Sequence, residues 1–256
     1  MITATTPRVF QAMGTAVSLA GEIDDAALAE IRDAFEELEQ RFSLYRPDSE
    51  ASRLARRELV LTQASAPMRE AYELAATWRS RTGGAFTPHR PDGVIDLSGV
   101  VKALAIRRAG EILDAHGSSH WCVNAGGDIL TRTGEARPPW VIGVVDPADR
   151  TQLLTQFTAT PELRAFATSG IAERGEHIWR IGTWDADADP FVQVSVAAAD
   201  IVTADVLATA VVSGGRETLE AVLGEGAVEG VPGGGALEAI AISRAGELRT
   251  TAAFRA

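Results

Sequence analysis

The segment DLSGVVKALAIRRAGEIL, residues 96–113, predicts a long helix that is apolar along one side. Apolar residues recur at helical spacing from Val100 to Leu113, and the dipeptide HG at 116–117 ends the predicted helix, which spans residues 98–115. Lys102 falls inside this apolar stripe, and so does Arg108. A helix N-terminus favours anions, so Lys102, one turn into the helix, would place a cation beside an anion site. The alternative is a capped helix whose Lys102 extends its ammonium past the edge of the core.

On both sides of this helix, strands and helices are mixed along the chain. Residues 8–21 predict a strand broken near Gly14, and residues 154–160 and 163–170 predict a pair of strands. A helix capped by Thr203 is expected to end at Gly214–Gly215, where a further helix follows. We therefore expect an α+β fold of mixed, largely antiparallel sheets packed with helices, as one domain over residues 1–256.

The composition excludes some classes of function. The chain has 256 residues and a net charge of −11, which is unsuited to a general nucleic-acid binder. No stretch is long enough to cross a bilayer, and the N-terminal residues lack a signal pattern, so we expect a cytoplasmic protein without membrane insertion. Its single cysteine, Cys122, is predicted to be a small core residue.

A second polar pair lies on the helix predicted after residue 203. Asp205 and Thr209 are four residues apart, so their side chains would lie one above the other. Carboxylate and hydroxyl oxygens suit a hard cation such as Mg²⁺. Alternatively, Asp205 complements the helix dipole and the Thr209 hydroxyl bonds to a helix carbonyl.

Two loops carry weaker signals. The segment NAGGDI, residues 124–129, would cradle a phosphate or an aromatic ring, or form a plain turn. Tyr45, in the segment SLYRPDSEASRL, would stack on a ring or serve as a surface anchor.

Taken in order, eight blocks of the sequence resemble the ApbE family of flavin transferases over nearly the whole chain. They are AMGT (12–15), FSLYRPDSEASRL (42–54), GGAFTP (83–88), DLSGVVKALAIRRAGEIL (96–113), VNAGGDI (123–129), TSGIAERG (168–175), HIW (177–179) and TADVLATA (203–210).

The resemblance implies an FAD:protein FMN transferase. Such an enzyme would bind FAD and Mg²⁺, move FMN onto a threonine hydroxyl of an acceptor flavoprotein, and release AMP. By this resemblance the flavin-side and FAD-contacting residues are Met13, Tyr45, Ala85, Phe86, Thr87, Asp96, Lys102, Ile178 and Trp179. The metal site would comprise the Gly99 carbonyl, Asp205 and Thr209, with Ala208 where some members carry a second aspartate. Lys102 would neutralise the pyrophosphate or hold Asp96.

The resemblance also suggests a proton acceptor, because His177 matches a histidine often proposed as a base. An aspartate of the 185–189 cluster is the alternative. The chain departs from the family at Thr87, where an aspartate is usual, and at Ala103 and Leu104, where a glycine and an aromatic residue usually follow the lysine. The alternatives to transfer are therefore an FAD-binding protein with little activity and a pyrophosphatase that hydrolyses FAD to FMN and AMP.

Overall fold

The computed structural model describes residues 6–170, 191–224 and 235–254, and its chain divides into two compact units. Unit 1 comprises Met1–Thr77 and Pro88–Pro138, and unit 2 comprises Trp78–Thr87 and Pro139–Ala256. In chain order the elements are β1 (Arg8–Ala12), β2 (Thr15–Gly21), α1 (Asp25–Phe42), α2 (Glu50–Ala55), α3 (Ala66–Arg81), α4 (Ser98–Ala115), β3 (Trp121–Ala125), β4 (Asp128–Arg132), β5 (Val141–Val145), β6 (Leu153–Thr158), β7 (Ala165–Gly170), β8 (Phe191–Ala198), α5 (Ile201–Leu223), β9 (Glu238–Ser243) and β10 (Leu248–Thr250).

Unit 1 contains four strands that follow one another in the order β1-β2-β3-β4, each antiparallel to the next. Helix α4 packs on β3 and β4, and α1 packs on α4. The core between them is built from fully buried side chains, among them Ile31, Phe35, Ile106, Leu113 and Trp121. This packing fixes the start of α4 against the β3–β4 hairpin.

Helix α4 begins and ends where the sequence predicts. It spans Ser98–Ala115, and its buried side includes Val100, Val101 and Lys102. The prediction for Arg108 is wrong, because this side chain lies at the surface beside Glu30 and Glu111. The apolar stripe is therefore interrupted by one cation, Lys102, among its buried positions.

The strand expected over residues 8–21 is a hairpin. Ala12 pairs with Thr15, so Met13 and Gly14 form a two-residue loop with φ angles of 50° and 70°. Positive φ at both central residues is typical of a type I′ turn, which matches the twist of antiparallel strands. The predicted break near Gly14 is thus a complete reversal of the chain.

Unit 2 contains the strand order β7-β8-β9-β10, again antiparallel, and a separate pair, β5–β6. Helix α5 packs on β7 and β8. The rings of Phe157, Phe166 and Phe254 lie together, with centroids 5.4–6.3 Å apart. The two strands predicted over residues 154–160 and 163–170 are confirmed as β6 and β7, and they pair with other strands, β6 with β5 and β7 with β8.

Helix α5 consists of two helical segments that meet at Gly215, as the glycines at 214–215 predict. Gly215 has φ 69° and ψ −151°, which a helix does not contain. The predicted cap is wrong, since the helix begins at Ile201 and the Asp200 carboxylate accepts a hydrogen bond from the Thr203 backbone N–H at 3.0 Å. Asp205 consequently lies beyond the first turn, where dipole complementation is weak.

The α+β class with largely antiparallel sheets is confirmed. Among the helices described here, none has the length and apolarity needed to cross a bilayer.

Candidate functional site

Lys102, the cation on the buried side of α4, forms an ion pair with Asp128 inside unit 1. Lys102 is 9% exposed and Asp128 is fully buried. A charge buried without a partner costs several kcal/mol, so each of these groups depends on the other. The pair fixes a cation at the start of α4, and its acidic partner, Asp128, was not predicted.

Asp128 owes its position to the Gly126–Gly127 turn that joins β3 to β4. Gly126 has φ 62°, and a Cβ atom there would lie 2.7 Å from the Thr15 hydroxyl oxygen. Both facts favour glycine, because other residues rarely adopt this φ and no room remains for a side chain. The segment NAGGDI forms a tight turn, in which the Gly127 N–H donates to the Asn124 side chain at 3.0 Å, and its role as a cradle for a phosphate or a ring stays a prediction.

Asp96 and Gly99 lie at the start of the same helix. The Asp96 carboxylate accepts a hydrogen bond from the Ser98 N–H at 2.9 Å, and the Asp96 N–H donates to the Pro88 carbonyl at 2.8 Å. Asp96 therefore fixes how the chain enters α4. Gly99 is half-buried in the first turn.

Met13 and Tyr45, two predicted flavin contacts, also belong to unit 1. Met13 lies in the β1–β2 loop, and its backbone N–H donates to the Glu39 carboxylate at 2.8 Å. Tyr45 lies in the turn between α1 and α2, and 90% of it is exposed. An aromatic ring that is so exposed offers a face for stacking.

In unit 2, the predicted metal ligands Asp205 and Thr209 share one side of α5. Asp205 is 5% exposed, and Thr209 is half-buried. The hydroxyl oxygens of Thr209 and of Ser169, on β7, are 2.9 Å apart. One carboxylate and two hydroxyls are hard oxygen donors, so these residues fit Mg²⁺ in chemistry.

Ala208, the remaining predicted position on α5, is fully buried and carries only a methyl group. Its side chain cannot ligate a metal. Among the described residues, no group of three or more His, Cys, Asp or Glu side chains is placed to hold a metal ion. A cation site in unit 2 would therefore depend on hydroxyl oxygens beside the single carboxylate.

The segment Ala85–Thr87 follows α3 in unit 2. Phe86 is buried, and its N–H donates to the Thr82 hydroxyl at 3.0 Å. A Cβ atom at Gly214 would lie 2.9 Å from the Ala85 Cβ, so the segment packs closely on α5. Ala85 and Thr87 remain half-buried.

Three predicted residues, His177, Ile178 and Trp179, lie outside the described residues, as do Asp185, Asp187 and Asp189.

The other histidines have defined surroundings. The His89 ring lies 3.2 Å from the Tyr72 hydroxyl. A hydrogen bond to Glu30 and the charge of Asp24 raise the pKa of His116, while loss of solvent contact lowers the pKa of His120. Loss of solvent contact also raises the pKa of the Cys122 thiol to about 12, but the residue is half-buried in β3, so it does not belong to the fully buried core that was predicted for it.

Sequence reasoning missed two residues of the site, Asp128 and Ser169. Each lies in a block that was noted, VNAGGDI and TSGIAERG, but neither received a role. The signal for Asp128 was a carboxylate directly after a glycine turn and before an apolar strand. The signal for Ser169 was a hydroxyl, next to that of Thr168, at the end of a strand that begins with apolar residues.

Comparison with known proteins gives one family. The sequence matches the ApbE family over residues 13–91 and 87–231. A search of the curated proteins finds no match.

Several solved structures share the fold. An ApbE protein from Thermotoga maritima is 18% identical and has a TM-score of 0.70, with 96% of each chain covered. A flavin transferase ApbE from Vibrio cholerae is 20% identical, with a TM-score of 0.71 and 97% of each chain covered. The apo form of a flavinyl transferase ApbE from Pseudomonas stutzeri is 17% identical, with a TM-score of 0.72 and coverage of 99% of this chain and 97% of that one. At these identities the likeness shows the fold.

Proposed function

The chain belongs to the ApbE family, and we propose that it is an FAD:protein FMN transferase. It would move the FMN half of FAD onto a threonine hydroxyl of an acceptor flavoprotein and release AMP. The observation that carries the proposal is the buried cation of Lys102, fixed at a helix start in a chain whose net charge is −11.

The diphosphate of FAD is the group that Lys102 would address. An acidic chain repels anions at long range, so it needs a local cation to bind one. Lys102 supplies that cation, and Asp128 holds it in place. The N-terminal turn of α4, which Asp96 positions through the Ser98 N–H, would add its partial positive charge.

The oxygen donors of unit 2 would hold Mg²⁺. Asp205, Thr209 and Ser169 supply them, and the Gly99 carbonyl of unit 1 stays a predicted further ligand. When bound, the ion would stabilise negative charge on the phosphates and on the departing AMP.

The reaction is a phosphoryl transfer. The threonine oxygen would form a bond to the FMN phosphorus while the bond between that phosphorus and the bridging oxygen breaks, so AMP leaves with the bridging oxygen. A threonine hydroxyl is a poor nucleophile at neutral pH and needs a group that accepts its proton. We propose His177 for this role on the family match alone.

Flavin-side contacts would come from Met13, Tyr45 and the Ala85–Thr87 segment, with Ile178 and Trp179 as further predicted contacts. We expect tighter binding of FAD than of FMN, because Lys102 and the cation address the diphosphate. The cytoplasmic location stays a prediction.

AMP release separates the proposed function from its alternatives. The purified protein is incubated with FAD and Mg²⁺, with and without a threonine-bearing acceptor flavoprotein stripped of its flavin. Transfer requires that AMP forms only with the acceptor, whose mass then increases by one FMN. AMP without the acceptor would instead indicate hydrolysis, and tight FAD binding without AMP would indicate a binding protein.

A further inference from the structure

Two segments of unit 1 are tied together by one carboxylate, that of Glu39 on α1. The Met13 N–H donates to one Glu39 oxygen at 2.8 Å, and the guanidinium of Arg46 lies 3.8 Å from the other. Met13 belongs to the β1–β2 loop and Arg46 follows Tyr45 directly. We call this arrangement the Glu39 bridge.

The β1–β2 loop needs such support because of its backbone. Met13 has φ 50°, in the left-handed region that non-glycine residues adopt at a cost. In a two-residue hairpin loop the N–H of the first loop residue has no partner within the ladder. Glu39 accepts that hydrogen bond and so fixes the orientation of the Met13 peptide.

The turn at residues 44–48 is similarly restrained, although Tyr45 is 90% exposed. The hydroxyls of Ser49 and Ser52 both donate to the Ser43 carbonyl.

Arg46 restrains the same turn, because it makes two contacts with Glu36, at 3.0 and 3.1 Å, in addition to its contact with Glu39. A large aromatic ring on a restrained turn is suited to recognition of a flat partner, because little freedom is lost on binding.

We propose that Glu39 is a positioning residue for the isoalloxazine ring of the flavin, acting through Met13 and Tyr45. It holds the two segments at a fixed separation, so that the Met13 turn and the Tyr45 ring meet the same ligand. The inference rests on the proposed function and assigns to Glu39 the flavin half of FAD, separate from the diphosphate half addressed by Lys102.

The test compares Glu39→Ala, Tyr45→Ala and the double variant in the full-length protein. Affinities for FAD, riboflavin and AMP are measured by calorimetry, and thermal melting is followed in parallel. The matched control is Glu37→Ala on the same helix, where the carboxylate pairs with Arg41 at 3.1 Å. Glu39→Gln is a milder variant, because its amide oxygen still accepts the Met13 N–H while its charge on Arg46 is lost.

Stacking on one aromatic ring contributes roughly tenfold to affinity, so Tyr45→Ala should weaken riboflavin binding by about that factor. Glu39→Ala should do the same, with AMP affinity and the control unchanged, and Glu39→Gln should fall between. Because Glu39 acts partly through Tyr45, the double variant should lose clearly less affinity than the product of the two single losses.

The inference fails if Glu39→Ala binds riboflavin within about twofold of the wild-type protein, or if the two losses multiply in the double variant. An equal loss of AMP affinity would also overturn it, since that marks a general structural effect. A wild-type protein that binds FAD and transfers FMN while Glu39→Ala behaves normally refutes only this inference. A wild-type protein that binds no flavin refutes the proposed function as well.

Discussion

Removal of one member of the Lys102–Asp128 pair should destabilise the protein far more than removal of both. Lys102→Met removes the ion-pair partner of the buried Asp128 carboxylate, and Asp128→Val removes the ion-pair partner of the Lys102 ammonium. Breaking a buried pair in this way costs about 3–5 kcal/mol. For a chain of this size, that corresponds to a fall in melting temperature of roughly 6–20 °C.

The two single variants should not be equal. Lys102 is 9% exposed and its flexible stem can move the ammonium toward water, whereas Asp128 is fully buried. Lys102→Met should therefore lie near the upper end of the range of about 3–5 kcal/mol, and Asp128→Val near the lower end. Valine suits position 128 because β-branched residues fit a strand.

The double variant Lys102→Met/Asp128→Val should recover most of the lost stability, because neither charge of the pair remains. Urea unfolding of the four proteins gives the coupling energy directly. The control is Arg108→Met, a cation on the same helix with surface partners, which should change stability by only about 0–1 kcal/mol. If the double variant loses the sum of the two single losses, the pair is not an interacting buried unit and the reasoning fails.

The double variant also separates stability from binding. It should fold, yet bind FAD more weakly than the wild-type protein, while its riboflavin affinity stays unchanged. Unchanged FAD affinity in a folded double variant would contradict the assignment of Lys102 to the diphosphate.

Three further outcomes are expected. Asp205→Asn should abolish the thermal stabilisation by Mg²⁺ while the protein still folds, and a shift with Mg²⁺ that persists would contradict the cation site. His177→Ala should slow transfer by roughly 10²–10⁴-fold at nearly constant FAD affinity, and a loss below about tenfold would direct attention to Asp185, Asp187 and Asp189. Glu30 and, secondarily, Asp24 raise the pKa of His116 above its ordinary value of 6.5, so charged His116 stabilises the fold fully below that pH and loses this effect as the pH rises through the raised pKa. The melting temperature of His116→Asn should thus fall below that of the wild-type protein at about pH 6 and match it at about pH 9, and equal values at both would contradict the ion pair.

Local sequence patterns predicted individual elements well where the apolar period ends at residues that typically terminate a helix. Helix α4 was predicted with its observed bounds, because the apolar period of 3.6 runs without a break to the HG dipeptide. The same pattern showed that Lys102 stands where an apolar residue is expected. The left-handed glycine at 215 divides α5 as predicted, since only glycine adopts that conformation readily.

Pairings between distant segments could not be predicted in this way. Asp128 is 26 positions from Lys102, and it reaches the lysine only because the β3–β4 hairpin packs on α4. Likewise β6 pairs back with β5 and not with the next strand, although the shorter connection leads to β7. Strand spacing alone carries no information on which apolar faces are buried together, and that burial decides the partner.

The position of Asp128 explains why a lysine stands at position 102 on the buried side of α4. A leucine at 102 would pack as well as its neighbours, and a surface lysine would attract anions only weakly against a net charge of −11. Burial removes the screening by solvent and makes a single ammonium effective at short range, but it also requires a counter-charge. Asp128 provides that counter-charge, and it follows a glycine turn that leaves no room for a side chain at position 126. The buried ammonium of Lys102 is therefore neutralised only when the β3–β4 hairpin packs on α4.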